Sequence, residues 1–305
     1  DQSTSPWRRT LAQVLAERGQ LDEAIQLFES VEKDKLLTAS DYRVLADWYL
    51  VTNRKSEYER AKLAAYKQTP EGNLSNSLYH IRNRWYQGAP FLPSEIDEST
   101  LLTFKALFEK SANPESYLWH LREIYAASRD FRLLQMIPDA VLGRSPQQIY
   151  SYLNNLNSRI LSELRNEATA DEILSIVKSL RAGERTATDL RALDLLEALV
   201  ERKSSEVLNQ PGPHVTACLA ALRRAFDRDW QPGEPRLMSD FLYQLGGISN
   251  AELAAEQLRE LKALQKLAPA ASRDHLYITN DLCNLLGWRY GKRDEAIQTM
   301  ELEVR

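Results

Sequence analysis

The chain has 305 residues, with 39 basic and 43 acidic side chains and a formal net charge of −4. Hydrophobic residues at 43% and charged residues at 27% argue against a disordered tail or a membrane protein. The near-balanced charge lacks the basic footprint needed for duplex nucleic acid. Counting 47 Leu and 32 Ala against 22 Val plus Ile, the chain is expected to be all-α, because straight and small side chains favour helix and a parallel sheet needs many β-branched ones. More than about 65% helix is expected, against about a third in an average globular protein.

In chain order, Leu11, Ala12 and Leu15 share one helical face, and Gly19 with Gln20 supplies a turn. Asp22-Glu23-Ala24-Ile25 then opens a second helix in which Ala24 and Phe28 stand four apart. Tyr42, Leu45, Ala46 and Tyr49 repeat the first-helix pattern, with Leu45 in the place of Leu11. Tyr58, Ala61 and Ala65 fall three positions later than the Leu11-to-Leu45 offset predicts, so the second turn is expected to be longer. The pattern resembles a degenerate tetratricopeptide (TPR) repeat, whose period of 34 equals that offset. By that resemblance, Ala12 and Ala24 allow close helix approach and Phe28 wedges between neighbouring repeats.

A third match holds Leu118, Leu121, Tyr125, Asp130, Phe131 and Leu134, with Arg122 where a small residue belongs. A fourth joins Leu286, Gly287 and Tyr290 to Asp294-Glu295-Ala296-Ile297 through a shorter turn. The resemblance thus covers residues 7–66, 117–138 and 284–300. It implies an α-solenoid of antiparallel helical hairpins, coiled as a right-handed superhelix and continuous over residues 1–305. Residues 7–70 are its most regular part and 88–97, with Pro90 and Pro93, an irregular insertion.

Between the matches, capping boxes are expected at Thr169-Ala170-Asp171-Glu172 and Ser249-Asn250-Ala251-Glu252, and Pro114 and Pro146 at first helical positions. Leu190, Leu193, Leu196, Leu199 and Val200 make one buried stripe; Leu258, Leu261 and Leu264 make another. No leader precedes Asp1 and no helix stop follows Glu303, so the chain is expected to be a fragment of a longer protein. The absence of any run of about 18 apolar residues predicts no membrane insertion. A soluble chain is expected, the cytoplasm being favoured slightly over other compartments.

The sequence carries no Gly-rich phosphate loop, no Gly-x-Ser-x-Gly turn and no His-Glu-x-x-His helix. His214 and Cys218 stand four apart and His275 and Cys283 follow in the same half. Without paired short spacings they are expected to be surface histidines and buried thiols rather than zinc ligands or a nucleophile. Gly246-Gly247 reads as a helix stop. Accordingly no catalytic residue, metal or cofactor is assigned, and the fragment itself is expected not to be an enzyme.

One binding surface is expected, with a second patch as its alternative. The TPR resemblance places the outward positions of first helices on a concave face that contacts an extended peptide. Here those positions are Arg9, Gln13 and Glu17, then Arg43, Asp47 and Leu50, then Trp119 and Glu123. Gln13 and Asp47 stand where TPR domains that clamp a terminal carboxylate use asparagine, and Asp47 would repel that anion. A protein or peptide segment bearing one or two carboxylates is therefore the expected partner. The alternative patch is Tyr79, Arg82 and Tyr86, which share a helical face suited to stacking, with Ile81 and Trp85 as core. The expected role is a non-catalytic protein-interaction scaffold; a regulatory or sensor arm of a larger enzyme or assembly is the alternative.

Overall fold

The computed structural model describes residues 5–86, 96–159, 161, 167–207, 211–245, 248–270 and 272–304. Of these residues 81% are helical, in sixteen α-helices, and none is in a strand. The all-α expectation holds and the helix content exceeds it. The chain divides into two compact units, Asp1–Ser111 and Ala112–Arg305.

The first unit holds α1 (Ser5–Glu17), α2 (Leu21–Lys33), α3 (Ala39–Val51), α4 (Lys55–Gln68), α5 (Glu71–Tyr86) and α6 (Glu98–Lys110). Helix α1 packs on α2 and α3 on α4. Ala12, Ala24 and Phe28 are fully buried, and the Phe28 ring lies 4.8 Å from that of Trp48. Ala46 on α3 and Ala61 and Ala65 on α4 are also buried, and small side chains there allow close helix approach. Leu45 and Tyr49 complete this core, while the Tyr49 hydroxyl donates to Glu29 at 2.8 Å.

The turn between α3 and α4 corrects the sequence reading. It is as long as the turn between α1 and α2, and α3 and α4 each begin one full period after α1 and α2. Asn53 (φ 57°) takes the place of Gly19 (φ 80°), since asparagine tolerates the left-handed region better than most residues. Matching bonds close both helices: Gln20 N–H donates to Leu15 at 2.9 Å and Arg54 N–H to Tyr49 at 2.8 Å. Lys35 (φ 58°) ends α2 similarly, with Leu36 N–H donating to Val31 at 3.2 Å. Tyr58 therefore occupies the register of Ala24. A reciprocal cap starts α3, Thr38 N–H donating to Asp41 at 2.8 Å and Asp41 N–H to Thr38 Oγ1 at 3.3 Å. The expected insertion at 88–97 lies outside the described residues except for Ile96, which is buried, and Asp97, which caps α6.

The second unit holds α7 (Leu118–Ser128), the short α8 (Met136–Asp139), α9 (Pro146–Arg159), α10 (Glu167–Arg181) and α11 (Ala187–Val207). It continues with α12 (Pro211–Phe226), α13 (Glu234–Gln244), α14 (Ala251–Leu267), α15 (Arg273–Asn284) and α16 (Arg293–Val304). The third sequence match is only half realised. Leu118, Leu121 and Tyr125 are buried on α7, but the expected second helix is a 3-10 turn, Phe131–Leu133, followed by the single turn of α8. Phe131 is 40% exposed, and the Asp130 carboxylate turns back to accept from Arg132 N–H at 3.0 Å.

Pro114 and Pro146 open helical segments as expected, and Ser145 exchanges capping bonds with Gln148. The other caps differ. Thr169 lies inside α10, buried, its hydroxyl 3.2 Å from that of Tyr125. Asn250, not Ser249, caps α14, accepting from the N–H groups of Glu252 and Leu253. Both leucine stripes face inward, Leu190 only partly.

Helix α11 also buries charge. Arg191, 1% exposed, pairs with Glu234 at 2.6 Å, donates to the carbonyls of Ala225, Arg228 and Asp229, and stacks 4.1 Å over Trp230. Asp194 is fully buried and pairs with Arg181 (2.9 Å), Arg224 (3.1 Å) and Arg228 (2.6 Å). Such carboxylates and guanidiniums are tolerated inside because several charge-assisted bonds replace the lost water. At the C-terminal side, α15 runs into a π-helical turn, Leu285–Arg289, that absorbs the shorter connection to α16.

Candidate functional site

In the first unit, α1 and α3 carry the expected contact positions, and the structure separates them by use. Arg9 is half-buried: it donates to the Leu36 carbonyl and lies 3.5 Å from Asp41. It thereby fastens α1 to the connection that caps α3, so it is not the solvent-facing cation the repeat pattern predicts. Gln13, Arg43 and Asp47 are exposed. Leu50, one turn beyond Asp47, is 58% exposed and adds an apolar contact to the same face. Arg43 also lies near Tyr66: burial raises the phenol above its ordinary range, and Lys62 and Arg43 oppose that rise. One side of α3 therefore carries a cation, an anion and a leucine, and α1 exposes an amide at the position equivalent to Asp47.

Trp119 and Glu123 belong to the second unit, on α7. Trp119 is 42% exposed, its ring 5.7 Å from that of His120, and Glu123 is half-buried. In the alternative patch on α5, Tyr79 is 48% exposed and Arg82 stacks 5.0 Å over its ring while donating to Asn83 at 2.9 Å. Ile81 is buried. The side chains of Trp85 and Tyr86, like Gly246-Gly247, lie outside the described residues.

The histidines and thiols do not converge. His214 Nδ1 lies 2.7 Å from Glu201, and His275 Nδ1 lies 3.0 Å from the Gln265 carbonyl. Cys218 is buried and its thiol donates to the Ala198 carbonyl at 3.3 Å; burial pushes it up to about 12. That thiol stays protonated at neutral pH and is a poor nucleophile. Among the described residues no three His, Cys, Asp or Glu side chains are grouped to hold a metal, and no helix is long and apolar enough to cross a membrane.

One polar cluster escaped the sequence reading. On α13 and α15, Arg236 stacks 4.1 Å over Tyr277, and Ser239 Oγ donates to Asp281 at 2.9 Å. Burial, then the neighbouring charge of Asp240, raises the Asp281 carboxyl to about 6, against the Ser239 bond and Arg236. Burial raises Asp240 as well. Tyr277 is lowered, first by its hydrogen bond from Arg273 and then by the charges of Arg273 and Arg236. The alternation Arg236–Asp240 on one helix and Arg273–Tyr277–Asp281 on the other is helical spacing. Nothing in the sequence, however, joins residues some forty positions apart. Compared with protein-family models and with curated proteins, the chain matches none.

Proposed function

We propose that the chain is a non-catalytic interaction scaffold, a TPR-like solenoid of antiparallel helical hairpins, which holds a protein or peptide segment on its concave face. The observation that carries this reading is the repetition of α1–α2 in α3–α4 at one constant offset, with matching turns and with Ala12 and Ala46 buried at matching positions of the first helices. Repetition of that kind converts chain length into exposed contact surface. Gln13, Arg43, Asp47 and Leu50 are the exposed contacts of the first unit. Arg43 pairs with a carboxylate of the segment, Gln13 reads its backbone amides, and Asp47 disfavours a densely anionic ligand.

Fluorescein-labelled ten-residue peptides carrying none, one, two or four carboxylates test this by fluorescence anisotropy. Binding should peak at one or two carboxylates, and Arg43→Glu should weaken it about 10-fold or more while leaving the fold intact. Equal binding by Arg43→Glu, or no binding of any peptide, rejects this face.

A further inference from the structure

The pentapeptide Asp22-Glu23-Ala24-Ile25-Gln26 of α2 recurs as Asp294-Glu295-Ala296-Ile297-Gln298 in α16. Each copy follows a glycine in the left-handed region, Gly19 (φ 80°) and Gly291 (φ 68°). The two helices can therefore be compared position by position. In α2, Ile25 and Phe28 are fully buried, because α3 adds Leu45 and Trp48 to the same core. In α16 the corresponding Ile297 and Met300 are 56% and 42% exposed. Beside Ile297 an open groove of about 300 Å³ runs along Gly287, Trp288 and Ala296. Trp288 on its rim is 84% exposed. The ledge that α2 offers to a third helix is thus repeated in α16 and faces outward.

The helix that matches α3 in register and also turns these positions outward is α1. Leu11 and Val14 stand one period before Leu45 and Trp48 and are 52% and 44% exposed. Trp7, one turn earlier on the same side, is 77% exposed. Charge is complementary on balance: α16 carries Asp294, Glu301 and Glu295, the last paired with Lys262 at 2.7 Å, against Arg293 at the groove, whereas α1 carries Arg8 and Arg9 against Glu17 and is followed by Arg18. Arg8 holds Asp34 in a solvated pair at 2.8 Å, which contributes little and can be exchanged for a new anionic partner.

We propose that α1 of one copy docks on α16 of a second copy, in the position that α3 takes on α2. The two surfaces are unlike, so the association is head-to-tail and each added copy presents a fresh α16 ledge. Three or so apolar side chains on each side make a small contact, with a dissociation constant on the order of 1–100 µM. The contact leaves Gln13, Arg43 and Asp47 outside it, and so does not depend on the peptide-binding reading.

Sedimentation velocity and light scattering over about 1–200 µM test the proposal. The mass should climb from 35.0 kDa past that of a dimer as concentration rises. Leu11→Glu and Ile297→Glu should each weaken association about 30-fold or more and remain monomeric, with unchanged circular dichroism. Their equimolar mixture keeps one intact α1 and one intact ledge, so it should form a 1:1 complex that stops at two chains. Val14→Glu and Met300→Glu form a second pair if either first variant misfolds. A wild-type chain that stays monomeric at the highest concentration overturns the proposal. So does a single variant that still associates, or a mixture that stays monomeric.

Discussion

Gly19 and Asn53 hold the same place in successive helix pairs, and both occupy the left-handed region, at φ 80° and 57°. Each ends the first helix of a pair, and nothing lies within 4 Å of where a Cβ at Gly19 would sit. Substitution there meets backbone strain and no clash. Gly19→Ala should therefore destabilise the first unit by about 1–2 kcal/mol, and Asn53→Gly should be neutral or stabilise by a few tenths. Urea unfolding of the two variants checks this; equal losses for both would mean that the turns are not conformationally equivalent.

Ala24 and Phe28 carry the packing of α2. Both are fully buried, and the Phe28 ring touches Trp48. Ala24→Leu should cost about 1–3 kcal/mol by overpacking, and Phe28→Ala about 3–5 kcal/mol through the cavity it leaves. Thermal melts near the wild-type value for both variants would contradict this core.

The repeat pattern was legible where small and large apolar residues alternate at fixed spacing, as at Ala12, Ala24, Phe28, Leu45 and Ala46. It misled where turn chemistry decided the outcome. Tyr58, not an alanine, stands in the register of Ala24, so the second turn looked longer than it is, and Pro138 with the left-handed Gly143 leaves the third match without its second helix. Leu11 matches Leu45 in sequence yet is half exposed, because burial depends on which helix lies opposite. Arg9 looked equivalent to Arg43, but the nearby Leu36 carbonyl and Asp41 hold it. Arg191 and Asp194 sit among leucines whose stripe implies that they face water; their partners lie 13 to 43 residues away and no local spacing announces them.

The Arg191–Glu234 pair is almost without solvent contact, at 2.6 Å. Removing one partner leaves a buried charge unmatched, so Glu234→Gln and Arg191→Met should each destabilise the second unit by about 3–5 kcal/mol. Arg191→Met should cost more, because three backbone carbonyls lose their donor together with the ring contact to Trp230. Chemical denaturation of both variants measures the difference. A smaller loss for Arg191→Met would mean that the carbonyls find other donors.

Asp281 makes the second unit lose stability as pH rises from mild acid towards neutrality. Its folded carboxyl titrates near 6, above its ordinary 3.8, because burial disfavours the charged form and Asp240 adds a like charge. Between those values the folded chain holds a proton that the unfolded chain has released. Stability from this group is therefore greatest at low pH and falls as pH rises through about 6. Asp240 and Glu201, both raised first by burial, push in the same direction. Arg236 and the Ser239 hydroxyl oppose the shift at Asp281, so the loss should be modest, about 1–2 kcal/mol between pH 5 and 7. Asp281→Asn keeps an acceptor for Ser239 while removing the charge. It should raise the unfolding midpoint at pH 7, match wild type near pH 4, and flatten the pH profile between. Denaturant titrations at three pH values decide it: a variant less stable than wild type at pH 7 would show that the carboxylate, not the carboxylic acid, is the form the α13–α15 contact prefers.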